Sequence, residues 1–266
     1  MSVQTLYTAA TGMESLQTKL DVIANNLANV NTSGFKKGRA NFEDLFYRHE
    51  KQPGAVDAAS QNTPTGTSIG LGSRVQSVQT SFIQGAFSET KSPLDVAIEG
   101  PGFFWVQNPD GTNAYTRAGN FSINANNSLV IGSAQTGRLV QPSIQFAQGM
   151  TDITITADGR VLGRQSGSTG LQQVGQLQLA SFTNPEGLLK TGENLYMETD
   201  ASGTAQPANP QQQGLGGLRQ YFLEMSNVEP VQELIDLITT QRSFELNSQT
   251  VQAGDQILQL ISNLRR

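Results

Sequence analysis

Side chains able to do acid–base, nucleophilic or metal chemistry are sparse in this chain. Its one histidine, His49, stands beside Glu50 and just ahead of Gln52-Pro53-Gly54. A Ser-His-Asp relay or a histidine-ligated metal would have to be built on that single imidazole, in a turn-forming stretch, and it reads as a surface residue. The lack of cysteine removes disulfides, thiolate metal sites and cysteine nucleophiles together. The glycine clusters Gly70-Leu71-Gly72 and Gly214-Leu215-Gly216-Gly217 have neither dinucleotide nor phosphate-loop spacing. Carboxylate pairs at Glu43 and Asp44 and at Glu233 and Asp236 fall on predicted helical or solvent-facing positions. Asp95 and Glu99 flank a strand pattern, with nothing nearby to tune them for proton transfer. No catalytic, cofactor-binding or metal-ligating residue is assigned, and no small-molecule substrate is expected: the chain reads as a non-enzyme.

Composition points the same way. A formal net charge of -5 leaves no basic footprint for nucleic acid, which is bound by clustered Lys and Arg. Only 15% of the 266 residues are charged, while there are 28 Gln and 18 Asn. Amides donate and accept hydrogen bonds without repelling their own kind, which suits a surface that meets copies of itself, although composition alone fits a merely Gln-rich surface equally well. Thr5, Thr8 and Gly12 interrupt any early apolar run and the first basic residue is Lys19, so no cleaved leader is expected.

The elements that must carry such a surface are two long helices. Leu6, Met13, Leu20 and Leu27 recur every seven residues, with Ala9, Leu16, Ile23 and Val30 three positions on. This a/d spacing predicts a helical seam over nearly four heptads. Glu14, Lys19 and Asp21 are the only charges in the first 35 residues, and Gly12 with several Thr and Asn lowers helix propensity, so the isolated helix is marginal. A second seam, Leu237, Phe244, Val251 and Leu258, runs through a predicted helix from Val231 to Leu264, with Leu234, Ile238, Ile257 and Ile261 beside it. Ser226 and Glu229 have capping-box spacing, Pro230 suits a first turn, and Arg265 and Arg266 complement the far end.

Between the helices the period changes to two. Phe103 to Gln107 ends in Asn108-Pro109-Asp110-Gly111, Phe121 and Ile123 precede Asn124 to Asn127, and Ile153 and Ile155 precede Ala157-Asp158-Gly159. These are hairpin signals. Val174, Leu177 and Leu179 suggest one further half-buried strand. The sole tryptophan, Trp105, is expected in the core. Gln52 to Gly72, rich in Pro, Gly, Thr, Ser and Gln, reads as an extended arm or flexible loop, with Phe42, Leu45, Phe46 and Tyr47 as an apolar anchor at its base. The expected fold is α+β, mainly β: a coiled-coil-like stalk from 1–35 with 226–266, an arm over 36–74, and a β-rich domain over 75–225.

Four motifs carry a resemblance. Asn25-Asn26-Leu27-Ala28-Asn29-Val30-Asn31-Thr32-Ser33-Gly34-Phe35-Lys36 closes the first helix. Asp95 to Phe104 is followed by Tyr115-Thr116-Arg117-Ala118-Gly119-Asn120-Phe121. Gly192-Glu193-Asn194-Leu195-Tyr196 and then Ser226-Asn227-Val228 with Gln241-Arg242-Ser243-Phe244-Glu245 complete the set. Together they resemble the flagellar rod and hook protein family over nearly the whole chain. Within it, Phe42 to Tyr47 with Gln52-Pro53-Gly54-Ala55 looks like the segment of distal-rod members, and the length leaves little room for the additional outer domain of hook proteins.

The resemblance implies a homopolymer whose terminal helices pack in a tubular inner core under an outer β layer. The seam residues would then be the polymerisation surface, and Asn25, Asn26, Asn29, Asn31, Gly34 and Phe35 the helix-end motif. Phe46, Tyr47, Gln52, Pro53 and Gly54 would mark a rod-specific arm. It further implies export through the flagellar export apparatus without signal cleavage, and partners in the proximal rod proteins, the hook protein and the surrounding basal-body rings. Alternatives are a proximal rod or hook subunit, or a secreted β-domain binding module for glycan with oligomerising helices.

Overall fold

A computed structural model describes residues 3–54, 65–132, 137–165 and 170–264, which form two compact units. The helical unit combines Met1–Ala28, Gly38–Thr80 and Glu229–Arg266, and the β unit combines Asn29–Lys37 with Ser81–Val228. The expected boundary between 74 and 75 falls inside a strand, Ser73–Thr80. Residues 38–44 and 73–80 form one antiparallel ladder inside the helical unit.

In the helical unit, α1 (Val3–Ala28) and α2 (Pro230–Leu264) lie side by side. Leu6 meets Gly254, Gly12 meets Asn247 and Asn26 meets Glu233, so the helices run antiparallel. At 1.5 Å per residue the 35-residue α2 is about 52 Å long. Pro230 opens it, where its missing N–H costs nothing. Ser226 is no cap: its Oγ accepts the N–H of Val228 at 3.3 Å, before the helix begins. Arg265 and Arg266 lie outside the described residues. Neither helix is long and apolar enough to cross a membrane.

The segment after α1 forms β1 (Gly38–Asp44), β2 (Tyr47–Lys51), β3 (Thr67–Gly70) and β4 (Ser73–Thr80), with β1 on β4 and β2 on β3. It is a hairpin rather than a free loop over this length. Two contacts seat it on α1. At one end Asn26 accepts from the Gly38 N–H and donates to its carbonyl, each at 2.9 Å. At the other, Gly72 sits at φ +124°, and a Cβ there would come 2.1 Å from Thr11 Oγ1. Residues 55–64 of the expected arm lie outside the described residues.

The β unit begins with β5 (Phe87–Glu89), β6 (Val96–Glu99), β7 (Phe103–Gln107), β8 (Asn113–Thr116), β9 (Phe121–Ile123), β10 (Leu129–Ile131) and β11 (Arg138–Val140). It continues with β12 (Met150–Ile155), β13 (Arg160–Gln165), β14 (Leu171–Gln176), β15 (Leu179–Ser181), β16 (Leu189–Gly192), β17 (Leu195–Met197), β18 (Gln206–Ala208), β19 (Gly217–Gln220) and β20 (Phe222–Glu224). A nine-stranded sheet runs β16-β17-β8-β7-β11-β10-β9, with β15 on β7 and β18 on β15; β12-β13-β14 form a second sheet, and β19 pairs β6 and β20 pairs β5.

Strand β7 shows how period two builds the core. Phe104 and Val106 enter one buried cluster with Ile98, Leu129, Leu177 and Leu179, while Phe103 joins Tyr115, Phe182 and Tyr196 in another. The expected hairpin turns are present: Gly111, Asn127 and Gly159 each take a positive φ and close a bond to a carbonyl three residues back. The strand expected through Val174, Leu177 and Leu179 is two strands, β14 and β15. The three-residue step from Val174 to Leu177 is out of period, and the chain changes sheets there.

Candidate assembly surface

The seam residues of α1 divide by burial. Ala9 and Ile23 are buried, whereas Leu6, Met13, Leu16, Leu20 and Leu27 are only half covered. Val30 lies beyond the last turn, because α1 ends at Ala28. On α2, Leu237, Phe244 and Val251 are half-buried and Leu258 is exposed. The strip of α2 nearest α1 is partly polar, with Glu233, Thr240 and Gly254 buried. A Cβ at Gly254 would come 2.6 Å from Leu6 Cδ2, so glycine is what allows the close approach. At the other end, Asn26, 2% exposed, also donates to Glu233 Oε2 at 3.2 Å.

A second face of α2 carries more exposed apolar side chain than the seam. Val231, Leu234, Ile235 and Ile238, spaced i, i+3, i+4, i+7, are 71%, 46%, 49% and 49% exposed, and Leu246 and Leu260 are open too. Reading the heptad alone picked Leu234 and Ile238 only as neighbours and missed Val231, Ile235, Leu246 and Leu260. The i, i+3, i+4, i+7 pattern was the signal available.

The helix-end motif divides between the units. Asn25 and Asn31 are exposed and Asn26 holds Gly38, while Asn29 accepts the Thr32 hydroxyl on its side chain at 3.1 Å and the Thr32 N–H on its carbonyl. Gly34, at φ +73°, donates to the Glu224 carbonyl at 2.8 Å; a Cβ would lie 2.6 Å from the Ala118 nitrogen. Phe35 is buried under the Lys190 ammonium.

Beside it lies a buried ionic cluster. Lys36 Nζ meets Glu224 Oε1 at 2.5 Å, and Arg117 Nε meets Glu224 Oε2 at 3.2 Å, with both lysine and glutamate side chains fully buried. Lys36 also donates to the Ile83 carbonyl, Arg117 donates to the carbonyls of Gly100 and Gly102, and the Gly85 N–H donates to Glu224. Burial pushes Lys36 and Arg117 down from their ordinary values, and the Glu224 carboxylate opposes this in both. Asn194 donates to the Ser33 carbonyl, and Asn227 takes the Lys37 N–H on its oxygen while its amide holds the Ser81 and Ile83 carbonyls. Parts of all four motifs thus meet inside the β unit: Ser33 to Lys36, Gly100 with Arg117, Asn194, and Asn227. In the sequence Lys36 and Arg117 stand out only as members of the resemblance motifs and Glu224 not at all, and no local pattern pairs them.

On the hairpin, Phe46 is 87% exposed and Tyr47 50%, against the expectation that they anchor its base. Gln52, Pro53 and Gly54 are also exposed. His49 lies on the open strand β2. No cluster of three or more His, Cys, Asp or Glu able to hold a metal occurs among the described residues.

Residues 6–36 match the family model described as flagella basal body rod protein, 97–163 the flagellar hook protein FlgE/F/G D1 domain, and 219–264 the flagellar basal body rod FlgEFG protein C-terminal region. The flagellar basal-body rod protein FlgG of Caulobacter vibrioides is 46% identical over 99% of this chain and 100% of its own length. The protein of the same name from Bacillus subtilis is 41% identical, again over 99% and 100%. The flagellar hook-basal body complex protein FlhP of Bacillus subtilis is 31% identical over the same shares.

Proposed function

This chain belongs to the family of flagellar basal-body rod proteins, and we propose that as a distal-rod subunit it polymerises through its terminal helices into a stiff tubular shaft. It is a structural component of the flagellar basal body, and it does no catalysis. The observation that carries the polymerisation is the apolar face of α2 left open by Val231, Leu234, Ile235 and Ile238, on a helix whose other side is already covered by α1. Taking such a side chain from full exposure to full burial is worth about 1.5–3 kcal/mol. These are 46–71% exposed, so covering each gains roughly half of that and a repeated helix contact is favourable. The helices form the coiled-coil-like polymerising core, and the surrounding basal-body rings are further partners.

The terminal neighbours along the axis are the proximal rod proteins and the hook protein, reached after passage through the flagellar export apparatus. The exposed Phe46 and Tyr47 place an apolar pair at the base of the arm, which reaches a neighbouring subunit and resists the sliding that bending requires. Replacing Leu234 and Ile238 together by Asp tests the core contact. Sedimentation should show monomer at concentrations where the native chain polymerises, with the β unit still folded; undiminished polymer would reject the α2 face as an assembly surface.

A further inference from the structure

Trp105 is not enclosed in the core. It packs on the Phe103 and Tyr115 cluster but is only half-buried, and it lines an open cavity of about 240 Å³ with Asn113, Tyr115, Ala180, Glu198, Thr204, Ala205 and Pro207. Trp105 on β7 and Tyr115 on β8 are directly paired across the strands. Among the described residues, Glu198 is the only charged one of the lining. Its Oε2 is held in place by the Tyr115 hydroxyl at 3.4 Å and the Ala205 N–H at 3.2 Å, both neutral donors. The indole N–H is covered and has no acceptor, so a guest meets the ring rather than the nitrogen.

An aromatic ring beside a positioned carboxylate with no cation of its own is the chemistry that receives a guanidinium or ammonium group. The π-face attracts the cation and the carboxylate pairs with it. The volume suits one side chain rather than an extended ligand. We propose that this cavity is a docking site for a single arginine or lysine side chain presented by a partner polypeptide, with Glu198 as its counter-ion and Trp105 as its platform. The site lies wholly within the β unit and does not depend on how the helices assemble.

Because Trp105 is the only tryptophan, its fluorescence reports this cavity directly. The full chain is titrated with N-acetyl-Gly-Arg-Gly-amide and, in parallel, with the citrulline peptide of the same shape and no charge. The expected result is a saturable change in emission with the arginine peptide, weakened about fivefold or more in the citrulline peptide, the worth of one exposed ion pair. The same loss is expected in Glu198→Gln, whose melting temperature is checked alongside, and added salt should weaken the response. An equal response to both peptides, no response to either, or saturation only by an N-acetylglucosamine oligosaccharide would overturn the proposal. The peptide comparison on the native chain decides it even if the variant fails to fold.

Discussion

At the scale of single residues, the largest energies sit in the Lys36, Glu224 and Arg117 cluster. Its two cations and one anion are out of water, held by backbone donors and carbonyls as well as by each other. Removing one partner of a buried ionic group leaves the other uncompensated and costs about 3–5 kcal/mol. Glu224→Gln, which leaves Lys36 and Arg117 without their anion, should lower the stability of the β unit by that order, read by guanidinium unfolding through Trp105 fluorescence. Lys36→Met keeps Glu224 paired with Arg117 and should cost less. A loss under about 1 kcal/mol in Glu224→Gln would mean that water reaches the cluster. Burial, then the Glu198 charge and hydrogen bond, pushes the Tyr115 phenol up to about 12, and burial also raises Tyr196. The unfolded chain gives up these protons from about pH 10, while the folded chain keeps them. The unfolded state then binds fewer protons, so stability falls as pH rises from about 10 toward 12. Thermal melts at stepped alkaline pH should show the fall, and Tyr115→Phe should lessen it.

At the scale of elements, the long period-seven rows gave both helices, and turn chemistry gave the β7–β8, β9–β10 and β12–β13 hairpins. What the sequence hid has a common cause. The β1 and β4 strands alternate half-buried and exposed positions with Asn, Ser, Gln and Arg among them, so their apolar period is too weak to separate strand from loop. The ionic cluster was equally illegible, since its members lie up to 188 residues apart and only the fold brings them together. Leu20→Asp or Leu27→Asp should abolish assembly while leaving the β unit folded, because a carboxylate in an apolar helix contact goes unpaired. If either variant still built rods, the α1 seam would not be an assembly surface. Deleting Gln52 to Thr67 should leave polymers that form but curve in micrographs; straight rods from that deletion would reject a stiffening role for the arm.

At the scale of the whole molecule, the chain is short of charge and rich in amides, and among the described residues seven exposed large apolar side chains lie along α2. A monomer should pay little penalty for loosening these helices, whose intrinsic propensity is weak. Assembly should order them, and circular dichroism of dilute chain should therefore show less helix than the polymer. The most direct measurement is electron microscopy of the purified full chain at rising concentration, with the Leu234→Asp/Ile238→Asp variant beside it. The expected result is straight, tubular rods of uniform diameter from the native chain and none from the variant. Dispersed particles at every concentration, or the same rods from both proteins, would contradict polymerisation through the terminal helices.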